Sequence, residues 1–362
     1  MINSTFKNCY ANCTNGGGFC YNLDKLGKEV DCDVSITGCT FDHLVPSNGN
    51  VGMLNFFKSI TISNCTIKSM PKAEYLLAIE CVSECVFQDC QFIRNTNIKE
   101  VNCSAIICGD ATSNNNVQYE FVGCYFEDNK IDKDLNGGAL YINAHYEPVH
   151  IDSCVFSNAA SDVSERGGAI YTSSGTEQEI IIINSHFINM KVSTSDSDSG
   201  NAIYIDSTSS KVHVEGCQFN DCGNKGCAIS SHGHNVIIKN TVIAFKDTSP
   251  ITSCQGFVIK NKSHFELINT SISNCISSFG GGAFSYLLNG SNYEDNDELV
   301  LIENCLFRLN KAVQNGGAVA IESFGFIRII NSTFEENIAN YKNIASSKLL
   351  AQYTSTHILI HR

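Results

Sequence analysis

Val149-His150-Ile151-Asp152-Ser153-Cys154-Val155-Phe156, followed about ten residues later by Gly167-Gly168-Ala169-Ile170-Tyr171, is the stretch that decides the fold. An alternating strand leads into a small polar residue, then a small residue, any residue, and a large apolar one. Phe121-Val122-Gly123-Cys124-Tyr125-Phe126 and Val212-His213-Val214-Glu215-Gly216-Cys217-Gln218-Phe219 repeat the first half. Gly137-Gly138-Ala139-Leu140-Tyr141, Gly281-Gly282-Ala283-Phe284 and Gly316-Gly317-Ala318-Val319 repeat the second. Self-similarity of this kind marks a stacked repeat, in which no unit buries its apolar face alone.

Working outward, the large apolar position runs Phe6, Phe41, Ile67, Phe92, Phe126, Phe156, Phe187, Phe219, Ile243, Ile272, Phe307 and Phe334, in steps of 24 to 35 residues. Two positions earlier stands Ser4, Cys39, Cys65, Cys90, Cys124, Cys154, Ser185, Cys217, Thr241, Thr270, Cys305 or Ser332. One before that is Asn3, Gly38, Asn64, Asp89, Gly123, Ser153, Asn184, Gly216, Asn240, Asn269, Asn304 or Asn331. Asn and Gly tolerate a left-handed backbone, so this last column reads as a tight bend between strands. Its amide side chains are expected to hydrogen-bond along the stack. The Phe/Ile column reads as an internal stack filling a tube. The Gly-Gly-Ala signal opens another strand where bulk is excluded. Leu77-Ala78-Ile79, Ser104-Ala105-Ile106, Asn201-Ala202-Ile203 and Cys227-Ala228-Ile229 fill that slot elsewhere.

These columns predict an all-β fold: a right-handed, single-stranded parallel β-helix of about 12 coils, a pectin-lyase-like solenoid. Coils about 4.8 Å apart would make a rod of roughly 55–60 Å. Parallel crossovers are right-handed in nearly every case. A leucine-rich repeat has an overlapping period, but its leucine spacing around an Asn is missing, and the segments after each Phe are too rich in Gly, Ser and Asp for a convex helix. Residues 1–340 are assigned to the β-helix. Residues 341–362 read as an irregular tail or the start of a further truncated coil, since Thr356-His357-Ile358-Leu359-Ile360-His361 resembles the opening strand of a thirteenth one.

Composition narrows function. The 362 residues carry a formal charge of −13, which argues against nucleic acid as a partner, because phosphates call for a clustered positive field. No apolar run reaches the roughly 20 residues that span a bilayer, so no membrane-spanning segment is expected. Met1–Phe6 does not read as a secretory leader.

Gly-Gly-Ala-[Ile/Leu/Val] stands at 137–140, 167–170 and 316–319, with a Phe variant at 281–284. Phe-x-x-Asn stands at Phe92–Asn95, Phe126–Asn129, Phe307–Asn310 and Phe334–Asn337. Alternating in this order, the two motifs resemble the repeats of the polymorphic outer membrane proteins, known from chlamydiae and found in surface-protein families of some parasitic protists. The resemblance covers most of the chain. It implies a right-handed β-helix passenger at the cell surface or secreted, acting in adhesion or antigenic variation, with host-cell, matrix or glycan ligands. The chain departs from the bacterial pattern in showing no C-terminal run of amphipathic strands for a translocating barrel. Its cysteine content is nearer the protist versions. Export and anchoring are implied by the resemblance alone.

Catalytic signals are sparse, and no catalytic residue is assigned. Glycoside hydrolysis needs two carboxylates at a fixed separation. The Asn-Thr-Asp, Asp-Asp and Gly-His-Gly strings of pectinase-like β-helices do not occur. His232-Gly233-His234 has the residue types in another order. Two imidazoles at i and i+2 could hold a transition metal, but no third ligand falls in the pattern, and the pair reads as a turn with exposed imidazoles. Asp295, Asp297 and Glu298, in the loop Glu294-Asp295-Asn296-Asp297-Glu298, and the run Asp196-Ser197-Asp198 are oxygen-rich enough for calcium. They lack the glycine and terminal Glu of an EF-hand, so they read as solvated loops and no cofactor is expected.

Nineteen cysteines would ordinarily mean disulfides or zinc. The column cysteines exchange with Ser and Thr, which cannot form bridges. They are therefore expected to be reduced, buried and acting as compact hydrophobes. Cys9, Cys13, Cys20 and Cys32 lie off the column and are the better disulfide candidates. Three functions follow: a non-catalytic binding solenoid, a carbohydrate-active β-helix enzyme, or the stalk of a longer surface protein. An aromatic or acidic stripe on one face would favour the first. Several carboxylates with a Lys or Arg on adjacent coils would favour the second.

Overall fold

Twelve short strands, one per coil, lie side by side in register from Thr5–Lys7 to Thr333–Glu335 in the computed structural model. The structure describes residues 1–7, 10–11, 19–22, 30–46, 52–70, 77–97, 105–108, 117–131, 135–143, 147–158, 164–173, 177–192, 199–223, 225–246, 253–260, 264–278, 280–287, 299–314, 316–321, 326–339 and 357–360. The strands of this first wall pair parallel with the apolar column aligned, Phe92 on Phe126, Phe126 on Phe156, Phe156 on Phe187 and Phe187 on Phe219. Their rings stack 4.6–4.9 Å apart and within 7° of parallel. That spacing is set by the backbone, because neighbouring strands hydrogen-bond 4.7–4.9 Å apart. Phe156 is fully buried.

A second wall is built from Gln118–Val122, Val149–Asp152, Glu179–Ile183, Lys211–Glu215, Asn235–Lys239, His264–Ile268, Leu299–Glu303 and Phe326–Ile330, all paired parallel. Alternation decides its faces: Val149 and Ile151 point into the tube, while His150 and Asp152 face out. The third wall is the Gly-Gly-Ala wall, from Ile106–Cys108 through Leu140–Ile142, Ile170–Ser173, Gly200–Asp206, Lys225–Ser231, Ser253–Lys260 and Phe284–Leu287 to Val319–Ile321. In two early coils, Gly52–Ser63 and Leu77–Gln88 run unbroken through the third and second walls. Later coils break at that corner, which is where loops of varying length are inserted.

The bend column behaves as its composition requires. All twelve residues have positive φ, from Asn3 at 45° to Gly216 at 64°. A second left-handed column, which composition does not advertise, lies two residues after the apolar position. It comprises His43, Ser69, Arg94, Asp128, Asn158, Asn189, Asp221, Asn274, Leu309 and Glu336. Ten of the twelve first-wall strands are therefore closed at both ends by a left-handed bend, which limits them to three residues. The backbone at the second bend is held across coils, as where Asp128 N–H donates to Ser157 O at 3.1 Å and Asn158 N–H to Ile188 O at 3.0 Å.

The amide ladder expected along the first bend is only partly there. Those asparagines are exposed, and Asn269 Nδ2 reaches Asn240 Oδ1 at 3.3 Å. Inside, the Asn of Phe-x-x-Asn pairs along the stack in two places. Asn95 Nδ2 donates to Asn129 Oδ1 at 2.9 Å, and Asn310 Nδ2 to Asn337 Oδ1 at 2.9 Å. Each inner amide also donates to a carbonyl one coil back, as Asn129 does to Phe92 O at 2.9 Å. Solvent cannot satisfy these groups, so they satisfy one another.

The cysteine column is buried and its thiols are free. Its role is more polar than that of a compact hydrophobe. Cys305 Sγ donates to Glu303 O at 3.2 Å and lies 3.3 Å from Leu267 O of the coil before. Ser185 and Thr241 hydroxyls donate to the equivalent carbonyls, Ile183 O and Lys239 O, both at 2.8 Å. Cys, Ser and Thr exchange because the slot calls for a donor on a one-atom stem.

In the Gly-Gly-Ala turn, Gly167 has φ +63°. A Cβ on Gly138 would run into the carbonyl oxygen of Gly168 one coil on. At the far end, His357–Ile360 is a strand that pairs antiparallel with Phe326–Ile330, the last strand of the second wall.

Candidate functional site

Three tyrosines stack on the outer side of the Gly-Gly-Ala wall. Tyr141 and Tyr171 lie 5.2 Å apart and Tyr171 and Tyr204 5.5 Å, nearly parallel in both cases. Their place follows from the turn: Ala packs under the bend, the next residue points inward, and the Tyr after it points out. Registers Tyr141–Tyr171 and Tyr171–Tyr204 then stack them. In the following coil the position is Ser230, and the aromatic run ends with His232 tilted against Tyr204 at 5.6 Å.

Polar groups gather around this stack. The Tyr171 hydroxyl donates to Asp206 Oδ2 at 2.8 Å. His232 Nδ1 lies 3.7 Å from Asp206 Oδ1, and the Arg166 guanidinium sits 4.9 Å from the centre of the Tyr204 ring. A cation over an aromatic face is favourable by about 0.5–2 kcal/mol. Burial, reinforced by the hydrogen bond to Asp206, pushes the Tyr171 hydroxyl well above the usual phenol range, so it keeps its proton and donates it to Asp206. Tyr204 is 1% exposed, whereas the Asp206 side chain is 40% exposed and that of His232 19%. The Tyr171 and Tyr204 rings are thus covered, and Tyr141 is half-buried. The accessible chemistry is a carboxylate and an imidazole.

The sequence matches the right-handed β-helix region family over residues 59–243, just over half of the chain. The chain belongs to this β-helix family. The matched stretch holds seven positions of the apolar column, Ile67 to Ile243, so the family accounts for about seven turns, fewer than the twelve read from the sequence. No curated protein and no solved structure matches the chain.

Within the β-helix the sequence-derived candidates fare unevenly. His232 and His234 fall in the turn between Lys225–Ser231 and Asn235–Lys239, as expected. His234 is exposed, but the His232 ring is mostly covered and faces Asp206, which corrects the reading of two exposed imidazoles. Among the described residues no three of His, Cys, Asp and Glu are grouped so as to hold a metal ion. Asp295, Asp297 and Glu298 lie outside the described residues, as do Asp196 and Asp198. So do Cys9 and Cys13. Cys32 is exposed and free. Among the described residues no helix is long and apolar enough to cross a membrane.

Tyr141, Tyr171, Tyr204, Asp206 and Arg166 were not picked out as a site. A signal existed: Tyr follows Gly-Gly-Ala-Leu, Gly-Gly-Ala-Ile and Asn-Ala-Ile at the same offset in three coils running. Asp206 carried none, because its partner Tyr171 is 35 residues away.

Proposed function

We propose that the chain is a non-catalytic β-solenoid, of the polymorphic outer membrane protein type, displayed at a surface or secreted. It binds a glycan or glycan-bearing ligand on the outer face of the Gly-Gly-Ala wall. The observation that carries this reading is the half-exposed Asp206 carboxylate beside the His232 imidazole, backed by the tyrosine platform. A fixed acceptor, a donor next to it and a rigid aromatic backing are what recognition of a hydroxyl-rich ligand asks for. The enzyme reading needs a second carboxylate about 5–9.5 Å from the first. At the outward positions beside Asp206, neighbouring coils present Ser173 and His232, and then Lys260. One carboxylate with a basic neighbour supports binding over glycosidic cleavage.

The test is an immobilised-glycan screen with the purified chain, in which reducing ends released from the same glycans are also measured. Binding without release is expected. Asp206→Asn and His232→Ala should each weaken binding at least tenfold while the thermal midpoint stays put. Glycan cleavage lost in Asp206→Asn would replace this reading with the enzyme.

A further inference from the structure

Behind this face, three consecutive coils turn polar inside the tube. At the corner between the third and second walls, Thr172 and Ser231 stand in one register column with Ile142 of the preceding coil and Ile259 of a following coil, and all four are buried. Around the corner, the three coils between them carry Thr172 and Gln178, then Ser207 and Ser210, then Ser231 and Gly233, all buried. Register brings these residues together. Lys211 N–H donates to Gln178 O at 2.7 Å, and His234 N–H donates to Ser210 O at 2.8 Å, which places Gln178, Ser210 and His234 in one column. Thr172 pairs with Ile205, and Ile205 with Ser231. Ser207 lies two residues beyond Ile205, on the same inward side. The far end is closed by Gly233, whose N–H donates to Ser231 Oγ at 3.1 Å and whose α-carbon leaves no room for a side chain beside Ser210 O.

Thr172 and Ser210 are 0% exposed, Gln178 2% and Ser207 3%. Thr172 Oγ1, both amide atoms of Gln178, Ser207 Oγ and Ser210 Oγ make no hydrogen bond among the described residues. Five orphaned polar atoms at one corner are unusual, since buried polar groups are nearly always paired. The buried amides of Asn95 and Asn129, by contrast, pair with one another.

We infer that this corner is a binding site for ordered water, on the order of two molecules, each held by two to four of these groups. The donor set selects the occupant. A cation would satisfy the hydroxyls and Gln178 Oε1 but would repel Gln178 Nε2. Only a group that both donates and accepts satisfies all five atoms, and no charge need be buried. The site lies inside the wall that carries Asp206 and His232, and it does not depend on what that face binds.

A crystal structure of the chain at about 1.5 Å should show discrete water density within hydrogen-bond distance of Gln178 and Ser210. A well-ordered corner without such density overturns the inference. Thr172→Val, which keeps the shape and removes the hydroxyl, should lower the thermal midpoint, while Thr172→Ser should recover most of the loss. A dry corner predicts the reverse, because deleting an orphaned hydroxyl would raise the midpoint. Exchanging sodium chloride for choline chloride at constant ionic strength should leave the midpoint unchanged. A fall on removing sodium would assign the corner to a cation instead.

Discussion

Asn129 Oδ1 accepts two hydrogen bonds from Asn95 one coil away, from the side-chain amide at 2.9 Å and from the backbone N–H at 3.3 Å. Both residues are fully buried. The pair therefore holds the second bend of two successive coils. Asn129→Ala should cost about 2–3 kcal/mol, because it strands two buried donors at once. Elsewhere the column holds Met70, whose sulfur accepts the Leu44 N–H at 3.2 Å. The double variant Asn95→Met, Asn129→Met should therefore lose less than the sum of the single changes. Urea midpoints of the four proteins in the cycle measure this, and additive losses would show the two amides to be independent.

Phe156 sits between Phe126 at 4.8 Å and Phe187 at 4.9 Å in an unbroken stack. Phe156→Ala should destabilise the rod by about 3–5 kcal/mol. Coils interact chiefly with their neighbours, so the damage should stay local. Hydrogen exchange is expected to quicken around residues 120–190 and to change little at 300–335. A uniform loss of protection would contradict the stacked-coil account of stability.

Burial pushes the thiols of Cys217 and Cys305 up to about 12, against an ordinary value of 9.0. The folded state keeps these protons where the unfolded chain releases them. The stabilising contribution is thus complete below pH 9 and declines as the pH climbs towards 12. Urea midpoints should fall from pH 8 to pH 10.5, and the fall should be smaller in the double variant Cys217→Ser, Cys305→Ser. Alkylating reagents at pH 8 should label both cysteines only after unfolding. Rapid labelling of the native protein would mean that the column is open to solvent.

Leu309 holds φ at +56° in the second bend, a conformation that costs an L-residue about 1–2 kcal/mol. Relief of that strain and the added chain entropy of glycine nearly cancel, so Leu309→Gly should move stability by less than about 1 kcal/mol. Leu309→Val, stiff at its branched carbon, should cost about 1–2 kcal/mol. Thermal midpoints in the order Gly above Val are the expected result, and the opposite order would mean that packing outweighs the backbone there.

Much of this architecture could be read directly because each coil makes the same local demands. A left-handed bend before every first-wall strand selects Asn, Gly, Asp or Ser, a carbonyl beside it selects a short donor, and the tube selects Phe or Ile, so the columns stand out in one dimension. The second bend did not, since Arg94, Leu309 and Glu336 adopt it against their preference. Hydrogen bonds to the next coil hold it, and Asn or Asp occupies it in only half of the ten coils where it occurs. The same separation applies to function. The tyrosines share an offset and could be seen, but Asp206 meets Tyr171 and His232 only once loops of unequal length have been closed and the coils set in register. The polar corner formed by Thr172, Gln178, Ser207 and Ser210 is likewise a product of register, and so is the direction of His357–Ile360. What repeats with the backbone was written in the sequence. What depends on how one coil falls against the next was decided by the tertiary structure, because loop lengths between the columns vary while the spacing across the strands does not.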